Sequence, residues 1–285
     1  MAKRGRPSLA RQRHALIVSH VRRHGSARVA ELAERLDVSE MTIRRDLDIL
    51  AENGLIEKVH GGATIRYERT ADEPGFETKA SLNIDEKRAI AAAAAVLTGV
   101  GAAIGLTAGT TTAQLAAELI TVPDLTVVTN SVRVADVFHA HQRSDRKVIL
   151  IGGERTPSDA LVGPIAVRAL SGFHLDTVFM GVHGMDERAG FTTPNLLEAE
   201  TNQAFVASTD ELVILADHTK WGVTGLATIA DLEQAAVCVS DGGLTDEARG
   251  ILSDRVGRLV IGSPGGGGDV KMAGSYGGSS VTLPG

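Results

Sequence analysis

Arg44 and Arg45 stand side by side in MTIRRDLDIL, residues 41–50, with Thr42 just before them. Arginine is the usual bidentate reader of guanine O6 and N7, and threonine meets a base edge or a thymine methyl. A second set of candidates lies far downstream. TAGTTT, residues 107–112, clusters the hydroxyls of Thr107, Thr110, Thr111 and Thr112 around Gly109, and ADHTK brings Asp217 and Lys220. Hydroxyls, a glycine that lets the backbone come close, helix N-terminal amides and a lysine suit an anion. No catalytic residue, metal ligand or cofactor is assigned.

The arginines need a helix to aim them. Ile43, Leu47 and Leu50 recur at i, i+4 and i+7, a core-facing stripe. At about 100° per residue Arg45 then lies nearly opposite, with Thr42 and Arg44 on the flanks. Ser39 is a good N-cap, and Gly54 ends the helix. Val29, Leu32, Ala33 and Leu36 mark a helix before it. A further one runs from about Ser8 to His24 with Leu16, Ile17 and Val21 on one side. Two short helices joined by a tight turn and braced by a third make a helix-turn-helix, whose second helix enters the major groove. Asp46 and Asp48 either orient the arginines, disfavour wrong sequences or are plain solvated surface. LIEKVHGGATI follows: strands at Leu55–Val59 and Ala63–Ile65 around a His60-Gly61-Gly62 turn form a wing. Lys58 and His60 near its tip reach backbone phosphates; a plain turn explains His60 equally well.

Charge supports the same polarity. The chain is −6 overall, yet residues 1–66 hold thirteen Lys/Arg against eight Asp/Glu, and residues 1–30 hold eight bases, Arg28 among them, and no acid. The front therefore meets a polyanion and the acidic remainder does not. In KRGRPS, Arg4 and Arg6 resemble an AT-hook entering a narrow minor groove; a generic basic tail is the other reading. The basic start lacks an apolar stretch behind it, unlike a secretory signal, and no run is long enough to span a membrane. With one cysteine, Cys238 in the apolar AAVCVS, the expected location is cytoplasmic and the thiol an inert core residue.

Downstream, helical and strand patterns alternate. A helix from Asp85 to about Leu97 leads to AAIGL, then TAGTTT, then a helix through Leu115 and Leu119. Strands LTVVTN, KVILI, DTVFMGV, ELVILAD and AAVCVS follow, with helices from about Val132 and from Asn195 to Ala207. This argues a doubly wound sheet with ligands beyond the strands' carboxyl ends. There sit Thr129 and Asn130, Gly152 and Gly153, Gly181, Asp217 and Lys220. Asp176 begins a strand and reads as a cap at the far side. Jointly the strand ends suit a phosphorylated sugar; singly, each is also an ordinary loop residue, the preferred reading for Glu154 and His183.

Val38-Ser39, Thr42–Leu47 and His60–Ala63 within VAELAERLDVSEMTIRRDLDILAENGLIEKVHGGA closely resemble the DeoR family of bacterial transcriptional regulators, and the resemblance runs to about residue 245. It implies an α/β protein: an N-terminal winged helix-turn-helix domain plus a Rossmann-like, mostly parallel α/β effector domain that senses a sugar phosphate. The family's sensor is similar to sugar-phosphate isomerases; the matching pieces are Lys87 in EKRAIAAAA, the Thr107–Thr112 loop, TNS and ADHTK. Many members carry an acid where Thr107 stands. The isomerase's catalytic glutamate falls near Gln203, with Glu198 and Glu200 close by.

The expected organisation is a basic, flexible arm (1–10), a winged helix-turn-helix (11–66), a linker (67–83), a sensor (84–262) and a Gly/Ser-rich disordered tail (263–285). The expected function is a repressor of sugar-metabolism genes, released from double-stranded operator DNA by a phosphorylated sugar and acting as a homo-oligomer, a dimer or tetramer, with no membrane partner. The competing readings are an isomerase-like enzyme carrying a DNA-binding appendage, and a constitutive DNA-binding protein with a structural C-terminal domain.

Overall fold

A computed structural model of the chain describes residues 10–24, 26–52, 55–59, 61–64 and 75–263. They form two compact units that part between Asn83 and Ile84. Arg4, Arg6, His60, Gly54, residues 65–74 and the Gly/Ser-rich segment from 264 onward lie outside the described residues.

The first unit contains α1 (Ala10–His24), β1 (Ser26–Arg28), α2 (Val29–Leu36), α3 (Glu40–Glu52), β2 (Glu57–Val59), β3 (Gly62–Thr64) and α4 (Phe76–Ala80). The apolar stripes of α1–α3 meet in one core that joins Ile17, Val21, Leu32, Ile43, Leu47 and Leu50 to Ile56 and Ala63. Leu16, expected on the buried side of α1, is half exposed, because one step along the helix turns it away from Ile17. The wing hairpin pairs antiparallel, and β1 adds a third strand in the order β1-β3-β2. Two glycines make this possible. Gly61 has φ +80°, and a Cβ on Gly62 would lie 2.2 Å from the Ala27 carbonyl oxygen. The segment expected to be a patternless linker contains α4, a short helix.

Asp46 departs from every role foreseen for it. It is buried, and Arg13 of α1 donates Nε–H (2.5 Å) and Nη2–H (3.0 Å) to its two carboxylate oxygens. His14 Nε2 lies 2.8 Å from the same carboxylate. Asp46 therefore bolts α3 to α1; it faces away from solvent and bonds to Arg13 and His14 of α1, not to Arg44 or Arg45. Burial alone would push its carboxyl up, but the hydrogen bonds from Arg13 and His14 outweigh this and hold it below the usual carboxylate range.

The second unit runs α5 (Ile84–Ala95), β4 (Ala103–Leu106), α6 (Thr110–Glu118), β5 (Thr126–Thr129), α7 (Val132–Ala140), β6 (Lys147–Leu150), β7 (Glu154–Arg155), β8 (Leu161–Val162), α8 (Pro164–Leu170), β9 (Thr177–Gly181), β10 (Gly184–Asp186), β11 (Gly190–Thr193), α9 (Leu196–Val206), β12 (Leu212–Leu215), β13 (Ala227–Ala230), β14 (Val237–Asp241), α10 (Asp246–Arg255) and β15 (Leu259–Gly262). Seven strands form a wholly parallel sheet in the order β15-β14-β12-β9-β4-β5-β6. Antiparallel pairing occurs in the small sheet β10-β11-β13, the hairpin β7-β8 and an isolated bridge between Ser131 and Ala160. Alternate strand residues feed two cores. One face packs Ile104, Val127, Phe179, Val213 and Val239 against α5, α6 and α7, and the other packs Val128, Val178, Ile214 and Cys238 against α8, α9 and α10. Burial pushes the Cys238 thiol up to about 12, which keeps it protonated and inert. Among the described residues no helix is long and apolar enough to cross a membrane.

Breaking the α1–α3 bolt tests its weight. Asp46→Asn removes the carboxylate charge that Arg13 and His14 hold, and removing one member of a buried pair costs about 3 kcal/mol. Because the native carboxyl titrates below its ordinary value of 3.8, the loss is full at neutral pH and vanishes as pH falls through the native value. Urea unfolding followed by circular dichroism, in steps from pH 7 down through the acid range, measures both limbs.

Candidate functional site

In the first unit, α3 presents the outward face foreseen for it. Arg44 and Arg45 are exposed, Thr42 is half-buried and the Ile43/Leu47/Leu50 stripe faces inward. Ser39 caps the helix, its Oγ accepting from the Thr42 amide at 3.2 Å and lying 2.9 Å from Thr42 Oγ1. Arg44 reaches back to Glu40 at 3.2 Å, an exposed pair that competes weakly with a ligand. Arg45 makes no ion pair with the described residues. Lys58 of β2 pairs with Asp48 of α3, so the wing is tied to the helix beside it. Arg28 is exposed at the end of β1. Met41, overlooked in the sequence, is 78% exposed in the first turn of α3.

In the second unit the site follows from the winding. From β4 the chain proceeds to β5 and β6 on one side; from β9 it proceeds to β12, β14 and β15 on the other. The winding reverses between β4 and β9, and in open α/β sheets the ligand crevice lies at such a switch point. Cross-strand register sets Leu106 beside Phe179, and Gly181 beside Leu215, so the loops that follow leave the sheet at one edge.

The β4 loop is held there by its neighbours. The Thr107 amide donates to the Phe179 carbonyl at 3.1 Å, and Thr107 Oγ1 accepts from the Gly181 amide at 3.2 Å. Asn130 Oδ1 accepts from the Ala108 amide at 2.9 Å, while its Nδ2 donates to the Leu161 carbonyl. Thr129 Oγ1 donates to the Leu106 carbonyl at 2.6 Å. Thr129 and Asn130 thus brace the loop. Gly109 caps α6 without a side chain, which leaves the first-turn amides uncapped by any side chain. The Thr112 hydroxyl turns back to the Gly109 carbonyl at 2.9 Å, whereas those of Thr110 and Thr111 make no hydrogen bond to the described residues.

Asp217 is buried and caps the 3-10 turn His218–Lys220, its Oδ1 accepting from the Thr219 amide at 3.0 Å. It shapes the turn that carries Lys220, a half-buried lysine with no ion pair to the described residues. Lys87 is buried on α5. Gly153 answers a packing need, since a Cβ there would come 2.4 Å from the Val162 carbonyl oxygen; Gly152 is exposed. Asp176 caps the opposite edge, accepting from the Ala103 amide at 2.7 Å. Gln203 donates to the Thr228 carbonyl, and Glu198 accepts from Thr156, Ser158 and Thr193.

His218 and Asp241 escaped sequence reasoning. His218 Nδ1 lies 2.8 Å from Asp241, whose other oxygen accepts from the His218 amide at 2.7 Å. The ring rests on Gly243, where a Cβ would come within 2.4 Å of it. Donation of a hydrogen bond from the His218 ring to Asp241 raises the His218 pKa against the opposing effect of burial. The rule that flagged Asp217, a polar residue closing an apolar strand, applies equally to Asp241 at the end of β14.

Residues 13–69 match the DeoR-like helix-turn-helix domain and residues 82–242 the DeoR C terminal sensor domain. The two units thus define a helix-turn-helix protein with a C-terminal sensor. The chain belongs to the DeoR family. It is 34% identical to the uncharacterized HTH-type transcriptional regulator FruR of Bacillus subtilis, over 82% of this chain and 92% of the relative. Identity is 35% with the HTH-type transcriptional regulator GolR of Listeria innocua, over 81% and 90%, and 29% with the glycerol-3-phosphate regulon repressor of Escherichia coli, over 85% and 95%. Ribose 5-phosphate isomerase A of Methanocaldococcus jannaschii overlaps 49% of this chain and 55% of its own at 18% identity and a TM-score of 0.36, too slight a likeness to carry an assignment.

The His218–Asp241 pair yields a pH signature. A raised histidine pKa stabilises fully below the ordinary 6.5 and is lost as pH rises through the native value; the lowered Asp241 pKa stabilises above 3.8 and is lost in acid. The melting-temperature gap between the parent and Asp241→Asn is therefore widest between those limits and narrows on the alkaline side. Thermal melts across pH 4–9 measure it.

Proposed function

We propose that this chain is a transcriptional repressor of sugar-metabolism genes. It binds double-stranded operator DNA through residues 11–66, helped by the basic segment 1–10, and lets go when a phosphorylated sugar occupies residues 84–262. The observation that carries the reading is the outward face of α3: Arg44, Arg45 and Met41 exposed on a helix whose opposite side is packed and bolted to α1. Arg45, Arg44 and Thr42 read base edges; Ser39, Arg28, Lys58 and His60 meet phosphates and set the register. The name of the Escherichia coli relative supports the repressor sign.

The anion sits at the switch point. The Thr107–Thr112 loop and the first-turn amides of α6 cradle a phosphate, with Lys220 and Lys87 supplying positive charge. Thr129, Asn130, Gly152, Gly153 and Gly181 shape the surrounding wall, and Asp217 fixes the turn beneath Lys220. Release requires the ligand to favour a state whose DNA heads are wrongly spaced. One winged helix covers a short site, so the protein acts as a homo-oligomer with half-sites spaced by its symmetry.

Arg45→Ala is expected to leave the fold intact and to lose about 1–3 kcal/mol of specific operator binding, the worth of one bidentate base contact. Footprinting shows it, and an unchanged footprint defeats the DNA assignment. Lys220→Ala keeps operator affinity but shifts the induction curve to higher effector. In a melting screen of sugar phosphates, a true effector at a hundred times its Kd adds about 2.7 kcal/mol to the parent. The same concentration adds less to Lys220→Ala. No stabilisation by any sugar phosphate would favour a purely structural second unit.

A further inference from the structure

The two edges of the seven-stranded sheet are finished differently. At β15 the edge is covered: Val260 is buried, and a Cβ on Gly262 would strike the Ala89 carbonyl oxygen of α5 at 2.5 Å. Among the described residues the edge at β6 is bare: Val148, Ile149 and Leu150 are 38%, 37% and 44% exposed, and β5 is the one described strand that pairs with β6. Register places Val148 on the α7 face with Val127, and Ile149 on the α8 face with Val128. Ile165 of α8, 69% exposed, lies against Gly152 just past the strand's end and extends the apolar surface on that side. Exposed edges are normally blunted by a proline, a bulge or an inward charge, and KVIL has none of these within its apolar run.

We propose that β6 pairs antiparallel with β6 of a second copy of this chain, continuing the sheet across a twofold axis. The strand complements itself. A twofold normal to the sheet sets same-face residues opposite each other, so with Ile149 on the axis Ile149 meets its own counterpart and Val148 meets Leu150 on the α7 face. Charge agrees with this sense of pairing. Lys147 opens the strand, Glu154 follows its end, and neither makes an ion pair with the described residues. Antiparallel pairing brings the Lys147 end of one copy to the Glu154 end of the other at both rims, while a parallel arrangement would set like charges together. The inference deepens the proposed operator reading, which calls for a twofold assembly, and identifies the surface that supplies it.

The test uses the full chain, with mass from light scattering after gel filtration and with duplexes carrying one or two half-sites. Ile149→Lys sets like charges on the axis and halves the mass. It weakens two-site binding by about a hundredfold, the usual scale of lost avidity, and leaves one-site binding unchanged. Lys147→Glu also dissociates the assembly, and adding Glu154→Lys restores it. A monomeric parent, an undiminished mass in a folded Ile149→Lys chain, or a Lys147→Glu effect that is absent or not rescued overturns the proposal. Should Ile149→Lys not fold, the charge reversal decides alone. Halved mass with no DNA binding by parent or variant would sink the operator reading and leave the interface standing.

Discussion

A parallel sheet wound in two directions must open where the winding reverses, because the helices after the two central strands leave toward opposite faces. Here that divide falls between β4 and β9, and the placement of the loop after β4 follows from it. The Thr107–Thr112 loop is pinned to β9 through Phe179 and Gly181 and to β5 through Asn130. The amides of α6 therefore converge on a fixed place. Under the proposed reading, such preorganisation would let a small anion bind without first ordering the loop that holds it.

The first unit meets a different constraint. A helix that shows arginines to solvent must be anchored by its other side, and an apolar stripe alone leaves it free to slide or roll slightly in its groove. Asp46 limits that freedom. Adjacent to Arg45 in sequence, it points the other way and takes a two-pronged contact from Arg13 together with His14. Bidentate geometry is directional as well as strong, so it fixes the rotation of α3 about its own axis. The Lys58–Asp48 pair adds a second tether from the wing.

What the sequence made legible was whatever carries a period or a long apolar run. Buried parallel strands such as TVVT and LVIL read as unbroken hydrophobic segments, and the α3 stripe repeated often enough to orient its arginines. Short elements stayed hidden: SAR of β1 and the two-residue β7 and β8 have no room for a pattern, and α8 spans seven residues. Side-chain partnerships were hidden for another reason. Arg13 and Asp46 are 33 positions apart, and His218 and Asp241 are 23 apart; only folding brings them together. Thr129 and Asn130 were correctly set at a strand end, but residue type cannot tell a group that touches a ligand from one that holds the loop touching it.

Cys238 has a practical consequence. The chain owns a single sulfhydryl, and it is sealed in the centre of β14 with its ionisation pushed far into alkali. Maleimide and iodoacetamide chemistry attacks the thiolate, so the native fold is silent to both near neutrality. A cysteine introduced on a solvent-facing position becomes the sole reactive handle without deleting the natural one. Fluorophores or spin labels attached there report distances within an otherwise unaltered molecule.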